Sequence, residues 1–152
     1  MSHIHDLIDF TVAALIVYNR KILLVDDREV GQWLTPGGHI EPHEDTDRAL
    51  YREIEEETGL MPSDIEIIGE KPFSLVQNSL WPPRWVSIHS INNHHRHIVF
   101  IYLIKAKTEK VRLAPDEHHQ IRWFSHEEIN DSSLNIQADV RAYAKEAFRL
   151  IA

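Results

Sequence analysis

GGHIEPHEDTDRALYREIEEETGL, residues 37–60, opens on a glycine pair and ends in a run of acids closed by a further glycine. Asp45 or Thr46 is suited to cap a helix running to about Thr58, and Gly59 is placed to end it. The helix carries Glu53, Glu55, Glu56 and Glu57 with only Arg52 beside them, and like charges three or four residues apart repel. At roughly 100° per residue, Glu53, Glu56 and Glu57 share one arc with Ala49, while Glu55 points the other way into solvent. Leu50 and Ile54 form the adjoining apolar stripe that fixes the helix to a sheet. Either the acidic arc is a solvated face, or a cation belongs there. Three carboxylates converging beside a Gly-rich turn make an oxygen-ligand set of the kind Mg2+ or Mn2+ prefers. Gly37 and Gly38 let the backbone come close, so that a carbonyl there adds a ligand. Arg52 would hold one carboxylate by a charge-assisted hydrogen bond.

Working outward, Phe10 to Tyr18 is apolar and β-branched and reads as a buried strand. Asn19-Arg20 is a turn, Lys21 to Val25 a returning strand, and Trp33 to Thr35 a short extended piece stopped at a Pro36-Gly37-Gly38 turn. Ile65 to Ile68 and Phe73 to Val76 read as strands, and Asn78 to Arg84 as a loop. Trp85 to Ile91 and His97 to Ile104 pair as a hairpin across Asn92-Asn93, the second strand apolar on both faces and therefore central. Gln120 to Phe124 is the last strand, and Ser125 with Glu128 has capping-box spacing for a short helix. Ile136, Val140, Tyr143, Ala147, Phe148 and Ile151 give a final helix its apolar stripe. The expected class is α+β (mixed α/β), a curved sheet with helices packed on it.

The 152 residues suit a single domain over 1–152, with neither repeat nor linker. Cysteine is absent, which removes disulfides and thiolate chemistry. The longest apolar run, Val12 to Tyr18, is too short for a membrane span, no signal peptide is read, and a cytoplasmic protein is the default expectation. A net charge of −8 argues against a nucleic-acid polymer as the main partner. It leaves small phosphorylated ligands open if a metal ion supplies positive charge. A homodimer is compatible with the sequence.

Gly38, Glu44, then Arg52-Glu53-Ile54, Glu56-Glu57 and Gly59-Leu60 stand at the spacing of a known signature. This stretch resembles the box of the Nudix hydrolases (MutT-like) at every fixed position. Trp33-x-x-Pro36-Gly37-Gly38 and Ile121-x-Trp123-Phe124-Ser125 are similar to flanking elements of that family, and the resemblance runs from about Phe10 to Ala152. It implies a Nudix-type α/β/α sandwich and hydrolysis of a nucleoside diphosphate linked to another moiety, a nucleoside triphosphate or related nucleotide as first choice. It also implies Mg2+ or Mn2+ held by Glu53, Glu56 and Glu57 with the carbonyl of Gly37 or Gly38. Glu53 would be the general base, with Arg52 and Glu56 beside it in catalysis and Glu44 supporting the loop. The divalent ion would neutralise the diphosphate oxygens, acidify water and hold phosphorus in line for attack.

Asp116 or Glu117 is a candidate further base or ligand in a later loop, against a plain solvated loop after Pro115. His94, His95, Arg96 and His97 have poor spacing for zinc and read as a polar hairpin end. His89 and His97 can face the same side of the hairpin and meet phosphate or ribose. His118 and His119 carry the same ambiguity. Trp81, Arg84 and Trp85 can stack on a base or meet phosphate, or simply pack a proline-rich loop. Leu75, Val76, Gln77 and Asn78 lack the proline and tyrosine that mark the ADP-ribose and dinucleoside-polyphosphate subfamilies, and the extra motifs of NADH and coenzyme A hydrolases are missing. Alternatives are a nucleotide-sensing domain without catalysis, and a hydrolase of a nucleotide sugar or other non-nucleotide diphosphate. An isomerase on this fold is disfavoured by the lack of cysteine.

Overall fold

The computed structural model describes residues 6–72 and 78–151. In chain order its strands are β1 (Ile8–Tyr18), β2 (Lys21–Asp27), β3 (Trp33–Leu34), β4 (Gly37–His39), β5 (Ile65–Ile67), β6 (Trp85–Asn92), β7 (His95–Ala106) and β8 (His118–Ser125). The helices are α1 (Thr46–Thr58), α2 (His126–Asn130) and α3 (Ala138–Leu150). All eight strands join one mixed sheet, whose central pair, β1 with β7, is parallel.

Alternation along the strands explains the layers. Val12, Ala14 and Ile16 of β1, Leu23 of β2, and Tyr102 and Ile104 of β7 face α1 and bury its Ala49, Leu50 and Ile54. Their neighbours Leu15, Val17, Ile22, Leu24, Ile101 and Leu103 face the other way, onto Ile129 of α2 and Val140, Ala144 and Ala147 of α3. A sheet apolar on both faces requires helices on both, and the result is an α/β/α sandwich in the α+β class.

One edge of β1 is shared. β2 pairs with its C-terminal end, at Val17 and Tyr18, and β4 with Thr11, Val12 and Ala13. Between them β2 turns away to pair with β3 and β8, leaving a seam in the sheet.

Local chemistry sets the element ends. Asn19 and Arg20 both have positive φ, 46° and 62°, in the tight turn from β1 to β2. The Asp45 carboxylate caps α1 by accepting the Arg48 N–H at 2.8 Å, and Gly59, at φ 75°, ends it. Ser125 and Glu128 form the reciprocal capping box.

Three expectations are corrected. Gly37-Gly38 is a short strand rather than a turn, because its backbone finds β1 to pair with. The β6–β7 turn falls at Asn93-His94, one residue later than expected, after an irregular register between Ser90 and Asn92. Strand β8 begins at His118 rather than Gln120. The strand expected over Phe73 to Val76 and the marker positions up to Gln77 lie outside the described residues. No helix among the described residues is long and apolar enough to cross a membrane.

Candidate active site

The seam beside β1 opens into a cavity of about 530 Å3, large enough for a nucleotide-sized ligand. Eight carboxylates line it, those of Asp27, Glu29, Glu41, Glu53, Glu56, Glu57, Asp116 and Glu117, against the guanidinium groups of Arg28 and Arg52. A second cavity of about 470 Å3 on the α3 face of the sheet shares Asp27, Leu34, Thr35, Gly37, Gly38 and His39 with the first. The two make one cleft, acidic at the α1 end and more apolar beside Ala13, Val99 and Tyr143.

Arg52 organises the acidic end. Its Nε donates to both Glu44 oxygens at 3.0 Å, Nη1 to Glu53 Oε1 at 2.8 Å and Glu56 Oε2 at 3.3 Å, and Nη2 to the His39 carbonyl at 3.0 Å. One planar cation thus ties the helix to the loop before it, as a rigid five-donor fork can. The Arg52 hydrogen bonds hold Glu44 below the usual carboxylate range. Burial pushes Glu53 up to about 7 against the pull of Arg52, with Glu57 and Glu56 adding repulsion.

Glu57 is 3% exposed and accepts the Gly37 N–H at 3.3 Å. Burial raises its pKa, opposed by His118. His118 is equally buried, with Nε2 3.1 Å from Glu57 Oε2 and 4.0 Å from Glu117 Oε2, and Nδ1 3.7 Å from Asp27 Oδ2. Burial disfavours the charged ring, but Glu57, Asp27 and Glu117 outweigh it and raise the pKa of His118. None of these approaches is aligned as a hydrogen bond, so among the described residues both ring nitrogens lack a hydrogen-bond partner and His118 meets Glu57 through charge alone. Buried donors left this way cost stability unless a ligand or ion completes them.

Gly38 faces α1, and a Cβ there would collide with the Glu53 carboxylate; one on Gly37 would strike the backbone of Val12. Glycine is therefore needed for close approach at both positions. Donor atoms of Glu57, Glu117 and His118 lie within 4.8 Å of one another. The unpartnered imidazole, the glycine cradle and the carboxylate-rich lining fit a divalent cation, which carbonyl and carboxylate oxygens favour as Mg2+ or Mn2+.

The fold brings together Arg52, Glu53, Glu56, Glu57, Gly38 and Glu117 of the expected site, with Glu56 at the exposed rim. His97 lines the adjoining cavity and pairs with His89 across the β6–β7 ladder. Arg84 and Trp85 line neither cavity. Trp85, partly buried, packs on Tyr143 under α3, and the exposed Arg84 lies over the Trp85 indole. Trp81 is a packing residue too, its backbone N–H bonded to Asp47. Sequence reasoning missed Asp27 and left His118 open between ligand contact and a polar strand end. A β-bulge opposite Val25 and Asp27 shifts the register of β8, so strand alternation from Phe124 does not reveal that His118 faces Glu57.

A family model, the NUDIX domain, matches residues 9–145. The chain belongs to the Nudix family. A structure titled as a hydrolase of the NUDIX family from Clostridium perfringens is 27% identical, covers 95% of this chain and 98% of its own, and superposes with a TM-score of 0.81. A MutT NUDIX hydrolase from Burkholderia pseudomallei is 26% identical over 97% of this Nudix chain and 100% of its own, with a TM-score of 0.67. Among named relatives, the RNA pyrophosphohydrolase of Cellvibrio japonicus is 44% identical, but over only 36% of this chain and 34% of its own length. These matches support a hydrolase acting on pyrophosphate bonds, in a family that generally uses divalent metals.

Proposed function

We propose that this Nudix domain hydrolyses the diphosphate bond of a nucleoside triphosphate or a related nucleoside diphosphate derivative, with Mg2+ or Mn2+ held by Glu53, Glu56, Glu57 and the Gly38 carbonyl. The observation that carries the reading is the cleft itself: eight carboxylates and two arginines line its inner end. A diphosphate is repelled by such a lining unless divalent cations stand between them. Bound there, the cation would neutralise phosphate oxygens and acidify water.

The chain's own residues then orient and exchange protons. Arg52 holds Glu53 by Oε1, leaving Oε2 for a water molecule. Burial raises the Glu53 carboxyl to about 7 before any cation binds, which makes it a readier proton acceptor than an ordinary carboxylate, and the cation would draw it lower. The water oxygen bonds to phosphorus, the bridging oxygen leaves with the other phosphoryl group, and the proton passes to Glu53. His118 positions Glu57, and the apolar half of the cleft beside Val99 and Tyr143 receives the nucleoside.

The name of the Cellvibrio relative adds triphosphate-bearing RNA to the substrates worth testing, although the net charge of −8 favours a small nucleotide. The test is phosphate release from a panel of nucleoside triphosphates, nucleotide derivatives, nucleotide sugars and such RNA, with Mg2+ or Mn2+. Turnover of a small nucleotide that EDTA abolishes is the expected result. Binding without turnover across the panel would replace the enzyme with a nucleotide-sensing domain.

A further inference from the structure

Strand register gathers a second constellation on the opposite face of the sheet from α1. Asp9 of β1 is the parallel partner of His97 in β7. His95 is two residues before His97, and His39 of β4 pairs with Thr11, two residues after Asp9. Period-two alternation therefore places all four side chains on one face.

They converge on one atom. Asp9 Oδ2 lies 3.0 Å from His95 Nε2, 3.3 Å from His39 Nε2 and 3.8 Å from His97 Nε2. Only the His95 approach to Asp9 is an aligned hydrogen bond. The rings of His39 and His97 are 5.0 Å apart, and those of His95 and His97 5.1 Å. Donor atoms of Asp9, His95 and His97 all fall within 4.8 Å of one another. In a tetrahedral zinc site, bonds of about 2.0–2.2 Å put neighbouring donors roughly 3.3 Å apart, close to the spacing found around Asp9. The nearby His89 is engaged elsewhere, with Ser87 and Asp139.

We propose that Asp9, His95 and His97, with His39 as fourth ligand, form a binding site for a Zn2+-class transition-metal ion at the mouth of the cleft. Imidazole-rich donors select Zn2+, Co2+, Ni2+ or Cu2+ over Mg2+, whereas the α1 site is mostly oxygen. Burial, then His39 and His95, hold the His97 imidazole below the ordinary histidine range. The ion would join β1, β4 and β7. Because the His39 carbonyl accepts Arg52 Nη2, it would also fix the loop against which the catalytic arginine leans.

The test uses metal-stripped full-length protein at about pH 7.5, because ligand protons compete with Zn2+ at lower pH. Zn2+ is titrated against a chromophoric chelator, and Co2+ is followed by its visible absorption. The proteins are wild type, His95→Ala/His97→Ala, Asp9→Asn and Glu57→Gln. The expected result is one equivalent, with intense tetrahedral Co2+ bands, that survives in Glu57→Gln. It is weakened at least ~100-fold in the double variant, and by roughly tenfold or more in Asp9→Asn. Asp9→Asn preserves side-chain shape and answers the question if the double variant does not fold. In melts, one equivalent of Zn2+ should raise the Tm of wild type and Glu57→Gln equally, and that of Asp9→Asn by clearly less. The proposal is overturned if Asp9→Asn and every folded histidine variant bind Zn2+ as wild type does. It is equally overturned if the equivalent disappears with Glu57→Gln, which would assign the ion to the acidic site.

Discussion

The two ends of the cleft invert each other's electrostatics. At the α1 end, one guanidinium stands among carboxylates, held by 2.8 to 3.3 Å contacts to Glu44, Glu53 and Glu56. At the β4 end, one carboxylate stands among three imidazoles. The first cluster is a neighbourhood in sequence, built on one helix and the loop that leads into it. The second joins β1, β4 and β7, which only the sheet register brings together. A helix can concentrate charge because its periodicity repeats every few residues. A sheet can concentrate only what separate strands deliver in register.

That contrast is broken most directly at the acidic end. Glu53→Gln and Glu57→Gln should each lower turnover by roughly 10²-fold or more, since each removes an anionic group while preserving shape. Their metal-free melting temperatures should equal or exceed that of wild type, because a buried, mutually repelling carboxyl has been neutralised. Near wild-type turnover in both would reduce α1 to a surface helix.

Next comes metal-linked stability. An ion bound only by the native state at a hundredfold excess over Kd adds about 2.7 kcal/mol, or roughly 5–10 °C in Tm for a domain of this size. Mg2+ melts should show this shift in wild type and in Glu55→Gln, whose side chain lies on the exposed face. Glu57→Gln should lose most of it. An equal shift in all three proteins would move the ion away from α1.

A smaller effect is expected from protons. Glu53 rises from 4.5 to about 7 in the fold, so between those values the native state holds a proton that the unfolded chain has released. Its contribution to stability is complete below 4.5 and disappears as pH rises through 7. Without metal, wild-type Tm should therefore fall across that window by roughly 5 °C relative to Glu53→Gln. A parallel pH profile in the two proteins would show that Glu53 is not the group titrating. The smallest effect belongs to Arg84→Ala, which lies outside both cavities and should change KM by no more than about twofold. A tenfold rise would return Arg84 to the substrate site.

Legibility in the sequence followed the same division. Helix α1, its Asp45 cap, its Gly59 stop and the clustering of Glu53, Glu56 and Glu57 with Arg52 come from local chemistry, and all were readable. Strands β1 and β7 were readable from apolar runs, as was the need for helices on both faces. Residues whose role depends on register were not. His118 reaches Glu57 through a bulge, and Asp9 meets His97 across 88 positions of chain by parallel pairing. Trp85 could be read either as a ligand platform or as loop packing, because an indole's chemistry is the same in both settings. Its contact with Tyr143 comes from the fold and had no signal in the sequence.

The divided edge of β1 has a mechanical consequence. On one side of the seam β4 holds β1 only over Thr11 to Ala13, extended by Ala14 N–H to the Pro36 carbonyl and Ile40 N–H to the Phe10 carbonyl, and on the other β2 holds it only at Val17 and Tyr18. The β1–β7 pairing behind it runs unbroken from Ile8 to Val17. Opening at the seam therefore costs little and leaves the spine of the sheet intact, so its amides should exchange with solvent by local fluctuation while those of the spine wait for global unfolding. A ligand that bridges the lips supplies the missing stitches, and its binding would be recorded as slowed exchange along the seam alone.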